Sequence, residues 1–289
     1  MTTSSCFTAP SGHTIHFLQS GIASGALLIC LHGLGGSSET FLPLLPALPK
    51  WFNIVLVDFP GFGKSTLNKT SKPITVTGTV LDIHGLISSI KESAGTSDSE
   101  KIICIGHSFG AIIALHYAAK YPDAVAGLAL LGTGRAAGHI PAVKQRMMDL
   151  ASNVRNGGID FAADAAAVSN FYPDTLEQSA SSSARESVRK AVAASDPEGY
   201  AQTCEALADS SHTDPDYSTI KCATVFVAGD KDIISPVDRS TELSKLMGGE
   251  SWVVTVKSGH QQALEDPEGV GEALIQLFAK IKGSPQMST

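Results

Sequence analysis

The feature that most constrains the fold of this chain is an apolar stretch that runs directly into a helical pattern. Residues 101–106 (Lys-Ile-Ile-Cys-Ile-Gly) are typical of a buried parallel strand, and the Ala- and Ile-rich pattern after Ser108 predicts a helix. A strand that turns at once into a helix strains the backbone, and the crowding admits only small residues two positions before and after the turn. Gly106 and Gly110 occupy those positions. Ser108 should therefore project above the carboxyl ends of the strands, where α/β sheets bind ligands.

Two roles are open to Ser108. The pattern Gly-x-Ser-x-Gly is short enough to occur by chance, and the serine could simply cap the helix after an ordinary loop. The strand before it and the helix after it favour a nucleophile instead. The first amides of the new helix would then point toward an oxyanion formed beside the serine.

Composition argues against several classes of partner. The formal net charge of −7 disfavours nucleic acid and anionic membrane surfaces. The sequence contains no apolar run of bilayer-spanning length and no secretion signal at its amino terminus, so no membrane partner is expected. The five cysteines show no metal-ligand spacing, so no metal site is expected, and free thiols predict a reducing, cytoplasmic setting.

Strand-like and helix-like patterns alternate along most of the chain, which predicts an α/β fold. Residues 13–19 alternate as an antiparallel edge strand does, whereas most other strand-like runs are continuously apolar, as in parallel sheets. Consecutive parallel strands joined by helices bring their carboxyl ends to one edge of the sheet. The other strand-like runs lie at 26–31, 53–58, 125–131, 222–228 and 251–256, and helical patterns lie at 75–92, 237–247 and 267–281.

Residues 135–216 interrupt this alternation and predict a helical insertion. The segment is rich in Ala, Ser, Asp and Arg and is too long for a loop. We interpret it as a cap over the site, on a core formed by residues 1–134 and 217–289. Helical spacing within it occurs at 142–155, 160–170 and 184–208.

Apolar, aromatic and basic side chains of this segment are the candidates for substrate contacts. Met147, Phe171 and Tyr172 could line a pocket, although packing of the cap on the core is the commoner role for such residues. An arginine of the segment could anchor a substrate carboxylate, but a solvated helix face is the usual place for each of them. The insertion is therefore where we expect selectivity to arise.

Side chains that follow predicted strands supply a nucleophile, an acid and a base in sequence order. After Ser108, Asp230 and Asp232 follow the strand at 222–228, and His260 follows the strand at 251–256. A serine hydroxyl is a poor nucleophile until an imidazole takes its proton. The imidazole needs a carboxylate to hold its tautomer and to stabilise its cation. The spacing by itself does not decide whether Asp230 or Asp232 is the acid.

Five short patterns together resemble the α/β-hydrolase superfamily over residues 13–281. The resemblance implies a mostly parallel eight-stranded sheet flanked by helices, with an inserted helical cap. It also places the acid at the end of Gly-x-x-Asp, which favours Asp232. The patterns are His32-Gly33, Asp58-x-Pro-Gly-x-Gly-x-Ser65, Gly106–Gly110, Gly229-x-x-Asp232, and Gly259-His260 followed by Glu265-Asp266-Pro267.

The same resemblance implies how an oxyanion would be held. One amide belongs to the residue after the nucleophile and the other to the glycine-rich loop, which assigns the amides of Phe109 and Leu34. His32, Gly33 and His107 lie next to these positions and are expected near the substrate, with His32 also shaping the loop.

Within the superfamily, the chain is most similar to 3-oxoadipate enol-lactonase-like esterases and lactonases. Residues 196–207, at the end of the insertion, carry this similarity. It implies a cofactor-independent serine hydrolase, a monomer or homodimer, that cleaves a carboxylic ester or lactone of a small molecule through an acyl-enzyme on Ser108. The same side chains also support C–C bond hydrolysis, perhydrolysis, acyl transfer or cyclisation, and a hydrolase-like receptor could bind a ligand without turnover.

Overall fold

The central element of the fold is one sheet, seen in a computed structural model that describes residues 2–68, 70–173 and 181–282. In the order β1-β2-β4-β3-β5-β6-β7-β8, the first two strands run antiparallel to their neighbours and the remaining strands run parallel. The predicted eight-stranded, mostly parallel sheet is confirmed. The strands are β1 (Thr3–Thr8), β2 (Thr14–Gly21), β3 (Leu27–Leu31), β4 (Asn53–Val57), β5 (Ile102–His107), β6 (Val125–Leu131), β7 (Ala223–Gly229) and β8 (Ser251–Val256).

Helices cover both faces of the sheet. Between β3 and β4 the chain forms a 3-10 helix at Ser38–Ala47, where Pro43 and Pro46 lack the amide donors that an α-helix requires. The described α-helices are α1 (Val76–Ala94), α2 (Phe109–Lys120), α3 (Pro141–Gly157), α4 (Asp160–Ser169), α5 (Ser182–Ala193), α6 (Pro197–Ala208), α7 (Val237–Leu246), α8 (Gln262–Glu265) and α9 (Pro267–Lys282).

Alternate residues of the central strands pack into two separate apolar layers. Ile29 and Leu31 of β3 face the layer that contains α1 and α2. Leu28 and Cys30 face the layer that contains α9 and the 3-10 helix. Because successive side chains of a strand point to opposite faces, a strand covered on both sides needs apolar residues at every position. This requirement makes the central strands recognisable in the sequence.

The predicted edge strand is wrong in its position. Residues 14–19 of the predicted strand fall within β2, but β1 pairs with the outer side of β2 and forms the edge. β1 alternates between exposed and partly buried side chains, and its sequence Thr-Ser-Ser-Cys-Phe-Thr is mostly polar. Its pairing depends on β2 rather than on a hydrophobic pattern of its own, so its sequence carries little signal.

The helical spacing predicted over 184–208 corresponds to two helices, because the chain turns at Asp196-Pro197 between α5 and α6. The Asp196 side chain accepts hydrogen bonds from the amides of Glu198 and Gly199. Pro197 occupies the first position of α6, where its missing amide removes no helical hydrogen bond. Residues 174–180 of the predicted cap and 283–289 of the predicted core lie outside the described residues.

Two observations relate to the predicted reducing, cytoplasmic setting: the state of the cysteines and the composition of the helices. Every cysteine of the chain is a free thiol; Cys30, Cys104 and Cys204 are buried, and Cys222 is partly exposed. Among the helices of the described ranges, none combines the length and the apolar composition needed to cross a membrane.

Candidate active site

Ser108 occupies a strained turn between β5 and α2. Its φ of 50° makes it the only non-glycine residue with a positive φ in the described part of the chain. The turn is crowded, because a Cβ on Gly110 would lie 1.9 Å from the Leu31 carbonyl oxygen and one on Gly106 would lie 2.6 Å from the Gly110 carbonyl oxygen. Ser108 also makes no capping hydrogen bond with its side chain. The capping role left open by the sequence is therefore not the one it has.

His260 lies within hydrogen-bond distance of one of the two candidate acids. Its Nδ1 is 2.8 Å from Oδ2 of Asp232, and both side chains are buried. Asp230 instead contacts the Lys257 ammonium at 2.8 Å, on the outer side of the turn. The geometry thus pairs His260 with Asp232, the residue that the Gly-x-x-Asp pattern favours.

The Asp232 carboxylate is held by the turn that follows β7. Its Oδ1 accepts hydrogen bonds from the amides of Ile234 at 2.9 Å and Ser235 at 2.8 Å. Burial by itself raises the pKa of Asp232, but the hydrogen bonds from His260 and these amides outweigh it and hold the pKa below its usual range. The carboxylate is therefore ionised at neutral pH, and His260 donates its Nδ1 proton to it.

The loop that carries His260 is tied to a second carboxylate, Glu265 of α8. Oε1 of Glu265 accepts hydrogen bonds from the amides of Gly259 at 2.9 Å and Gln261 at 3.3 Å, on either side of His260. Burial is the largest influence on this carboxyl group and raises the pKa of Glu265. The sequence alone gives no role to Glu265, although its place in Glu265-Asp266-Pro267 is visible there.

The insertion supplies the remaining contacts of the His260 loop. The His260 amide donates to the Asn170 carbonyl oxygen, which follows α4, at 2.8 Å. Two residues later, the Tyr172 amide donates to Oε2 of Glu265 at 2.6 Å. Glu265 therefore joins the loop of the base to the insertion. No sequence signal marks Asn170, since it contributes only its backbone.

His107 connects the serine turn to the same loop. Its Nε2 donates to the His260 carbonyl oxygen at 2.7 Å, and the two imidazole rings lie 5.0 Å apart. Burial, followed by the nearby His260, lowers the pKa of His107 to about 3, so its ring is neutral. This hydrogen bond links His107, the residue before Ser108, to the loop of His260. It thereby helps to hold Ser108 and His260 at the same edge of the sheet.

Two unpaired amides lie next to Ser108. Neither the Leu34 nor the Phe109 amide has a hydrogen-bond acceptor among the described residues. A Cβ on Gly33 would lie 3.0 Å from the Ser108 Cβ, which shows how closely the glycine-rich loop passes the serine. Preorganised amides of this kind can stabilise an oxyanion as it forms.

His32 holds the glycine-rich loop in place. Its Nδ1 donates to the Gly33 carbonyl oxygen at 2.7 Å, and its Nε2 accepts from the Phe59 amide at 2.9 Å. Burial lowers the pKa of His32, in keeping with a neutral ring. Because both ring nitrogens are engaged, His32 shapes the loop and has no polar ring atom left to contact a substrate. The structure therefore corrects the expectation that His32 contacts the substrate.

A cleft of about 240 Å³ opens beside the serine. Its lining includes His107 and Gln261, the chain neighbours of Ser108 and His260, together with Gly33 and Leu34 of the glycine-rich loop. The 3-10 helix and α5 form the outer walls. The described lining residues are Gly33, Leu34, Gly35, Gly36, Ser37, Glu39, Thr40, Leu42, Pro43, His107, Ser187, Val188, Ala191, Gln261 and Leu264.

Three residues expected in the pocket lie elsewhere. Met147, Phe171 and Tyr172 are absent from the described lining of this cleft. Phe171 lies against the His260 loop, since its carbonyl carbon is 2.5 Å from where a Cβ on Gly259 would be. Met147 is partly buried and packs against the apolar layer that the insertion shares with the core. Backbone contacts hold Phe171 and Tyr172 against the loops of the core, and apolar packing holds Met147.

The insertion rests directly on the two glycine-rich turns of the core. The Asp196 amide donates to the Gly61 carbonyl oxygen at 2.8 Å. A Cβ on Gly61, whose φ is +84°, would lie 2.7 Å from the Gly199 Cα. A Cβ on Gly35 would lie 2.6 Å from Cγ2 of Val192 in α5. These close approaches join α5 and the start of α6 to the two turns. Within the described residues, no three His, Cys, Asp or Glu side chains group as metal ligands do.

Comparison with protein families gives a match over most of the chain. The model of the family described as alpha/beta hydrolase fold matches residues 26–267. The serine hydrolase-like protein of Danio rerio is 30% identical over 137 residues, which are 47% of this chain but only 38% of that relative. A hydrolase of (E)-2-((N-methylformamido)methylene)succinate from Acinetobacter baylyi is 22% identical over 91% of this chain and 94% of its own.

Solved structures share the fold over nearly the whole chain. A thermophilic esterase from Thermogutta terrifontis superposes with a TM-score of 0.83 at 24% identity and covers 96% of this chain and 99% of its own. The enol-lactonase from Burkholderia xenovorans has a TM-score of 0.81 at 21% identity and covers 95% of this chain and 100% of its own.

Proposed function

Because the chain belongs to the α/β-hydrolase fold family, we propose that it is a serine hydrolase that cleaves a carboxylic ester or lactone of a small molecule. The observation that carries the proposal is the strained Ser108 beside two amides without acceptors, at the sheet edge where His260 contacts Asp232. Relatives named as hydrolases support the reaction class, as do the esterase and the enol-lactonase that share the fold.

His260 acts as the base of this reaction. Its Nδ1 proton is held by the Asp232 carboxylate, so Nε2 carries the lone pair that takes the proton of Ser108. The freed oxygen attacks the ester carbonyl carbon, and the carbonyl oxygen becomes an oxyanion. The amides of Leu34 and Phe109 donate to that oxyanion, an interaction stronger in the transition state than in the ground state.

Collapse of the tetrahedral intermediate forms an acyl-enzyme on Ser108. His260 returns the proton to the departing alkoxide oxygen, which leaves as an alcohol or, in a lactone, stays attached to the acyl chain. Water then attacks the acyl carbonyl while His260 takes one of its protons. His260 returns this proton to the Ser108 oxygen as the bond from that oxygen to the acyl group breaks, and the carboxylic acid departs. Apart from the substrate and water, each step uses side chains and amides of this chain.

The test is covalent labelling of Ser108 by a fluorophosphonate probe, read by intact mass. Wild type is expected to gain one adduct and to hydrolyse simple esters, whereas Ser108→Ala should do neither. Ser93→Ala, which removes an exposed serine of α1, serves as a matched control and should behave as wild type. Labelling that persists in folded Ser108→Ala would exclude Ser108 as the nucleophile.

A further inference from the structure

Building on the proposed function, we propose that the cleft beside Ser108 takes small uncharged esters or lactones and discriminates against substrates that carry a carboxylate. Of the described residues that line the cleft, Glu39 is the only one with an ionised side chain. None of them is a lysine or an arginine. A carboxylate that enters the cleft therefore meets a negative charge at its wall and no cation.

The basic side chains of α5 are not among the described residues that line the cleft. Ser187, Val188 and Ala191 present one face of α5 to the cleft. Arg189 projects toward α4, where its Nε lies 2.8 Å from Oδ1 of Asp164. Arg185 donates from Nη1 to the Ala167 carbonyl oxygen at 2.8 Å. Arg185 Nη2 also donates to the Tyr172 carbonyl oxygen at 3.2 Å, and its guanidinium lies over the Phe171 ring. Neither guanidinium group lines the cleft, so α5 supplies hydroxyl and methyl groups to it.

The lining suits a neutral molecule in polarity and in size. Leu34, Val188 and Leu264 supply apolar surface, and hydroxyl groups of Ser37 and Thr40 supply neutral polar atoms. A carboxylate loses hydration on entering such a surface, and only a cation or several donors would compensate that loss. A cavity of about 240 Å³ is also smaller than the pockets that enclose drug-sized ligands.

The experiment uses pairs of esters that differ in charge but hardly in shape. Methyl succinamate and monomethyl succinate differ only by an amide in place of a carboxylate on the acyl side. Acetoxyacetamide and acetoxyacetate differ in the same way on the alcohol side. We expect kcat/KM of wild type for the amide of at least one pair to exceed that for the carboxylate by roughly tenfold or more.

Each ester is also tested as a competitor of fluorophosphonate labelling, so that an ester that binds without turnover is still scored. The amide esters should protect Ser108 better than the carboxylates. Equal protection and equal turnover within both pairs, or protection by no member of either pair, would overturn the inference. Absence of any adduct on folded wild type would overturn the proposed function as well, so the two failures are distinguishable.

A charge-reversal variant identifies the residue responsible. Glu39 is exposed at the mouth, so Glu39→Lys should raise the carboxylate-to-amide ratio of kcat/KM several-fold at low salt and less at high salt. Glu92→Lys makes the same charge change on the exposed end of α1 and should leave that ratio as in wild type. An equal rise in both variants would mean that net charge, and not the cleft, sets the preference.

Discussion

The strand ends of the core and the insertion α3–α6 are built in different ways. Ser108, Asp232 and His260 each follow a strand directly, and buried hydrogen bonds hold the acid and the base. Within the insertion, α3 contacts α6 through Arg155, which pairs with Glu198 and Glu205 at the surface. Exposed ion pairs contribute little to stability, whereas buried hydrogen bonds are costly to break. The acid and the base therefore depend on buried hydrogen bonds, whereas ion pairs at the surface of the insertion contribute little to its stability.

This difference assigns chemistry to one region and selectivity to the other. The strand ends position the reacting groups through main-chain geometry, which tolerates little displacement. The insertion contributes α5 as one wall of the cleft and leaves apolar side chains such as Phe161 and Val168 exposed. Changes at the strand ends should therefore affect turnover most, and changes at the junctions of the two regions should affect it less.

The largest effect is expected for Asp232→Asn. The side-chain oxygen of the introduced asparagine can still accept hydrogen bonds from the Ile234 and Ser235 amides. The NH2 group of that side chain would then face Nδ1 of His260. His260 would then carry its proton on Nε2 and could not accept the proton of Ser108, so we expect kcat to fall by about 10⁴-fold. The measurement is steady-state hydrolysis of a p-nitrophenyl ester.

Asp230→Asn is the matched control for that change. Asp230 lies two residues earlier, and its carboxylate contacts Lys257 rather than His260. Its kcat should stay close to that of wild type. Comparable losses in both variants, with native circular dichroism, would mean that the acid has been assigned to the wrong aspartate.

A smaller effect is expected at the junction between the two regions, in Glu265→Gln. The NH2 group of glutamine would face an amide donor, either that of Tyr172 or that of Gly259, and could not accept from it. The His260 loop would lose part of its support, so we expect kcat to fall roughly tenfold with little change in KM. The rate of fluorophosphonate labelling should fall in parallel, because it reports the same activation of Ser108.

Glu268→Gln, an exposed change one turn further along, is the control for this junction. It should leave kcat and labelling unchanged. If Glu265→Gln lowered the unfolding free energy but left kcat and the labelling rate at wild-type values, Glu265 would be a structural residue and not a positioning one.

The smallest effect is expected where the insertion returns to the core. His116 of α2 and His212, which follows α6, lie with their Nε2 atoms 2.9 Å apart. Burial, then the neighbouring His212, lowers the pKa of His116 to about 4. Asp214 opposes this shift but does not cancel it. Since His116 is partly exposed, we treat the contribution of this pair to stability as modest.

The sign of the pH dependence follows from the lowered pKa. Between the unfolded pKa, about 6.5, and the folded value, the unfolded chain binds a proton that the folded chain does not. The unfolding free energy should therefore decrease as the pH falls through this window, by about 1–2 kcal/mol for this residue. Urea unfolding at pH 7.5 and pH 5 should show a smaller decrease for His116→Gln than for wild type.

The exposed His139 provides the control for the histidine pair. His139→Gln should keep the wild-type difference between the two pH values. If His116→Gln and wild type lost the same unfolding free energy on acidification, the pair would not contribute to acid sensitivity.

Sequence patterns identified the central strands and the order of the candidate catalytic residues because both are local. Ile29 and Cys30 must both be apolar in a strand covered on two faces, and Gly110 must be small where it touches Leu31. Such requirements restrict which residue types can occupy the position itself. The α/β class and the proximity of Ser108, an aspartate and His260 could therefore be inferred without coordinates.

The tertiary structure decided what depends on contacts between distant segments. β1 became the edge strand through pairing with β2, and Asn170 supports His260 through a carbonyl oxygen that any residue would offer. The cleft is lined by α5 and the 3-10 helix rather than by Phe171 and Tyr172, because the packing of the insertion on the core sets which faces meet. A sequence records the local conformational demands of each residue directly, but it records such packing only through the sum of many weak contacts.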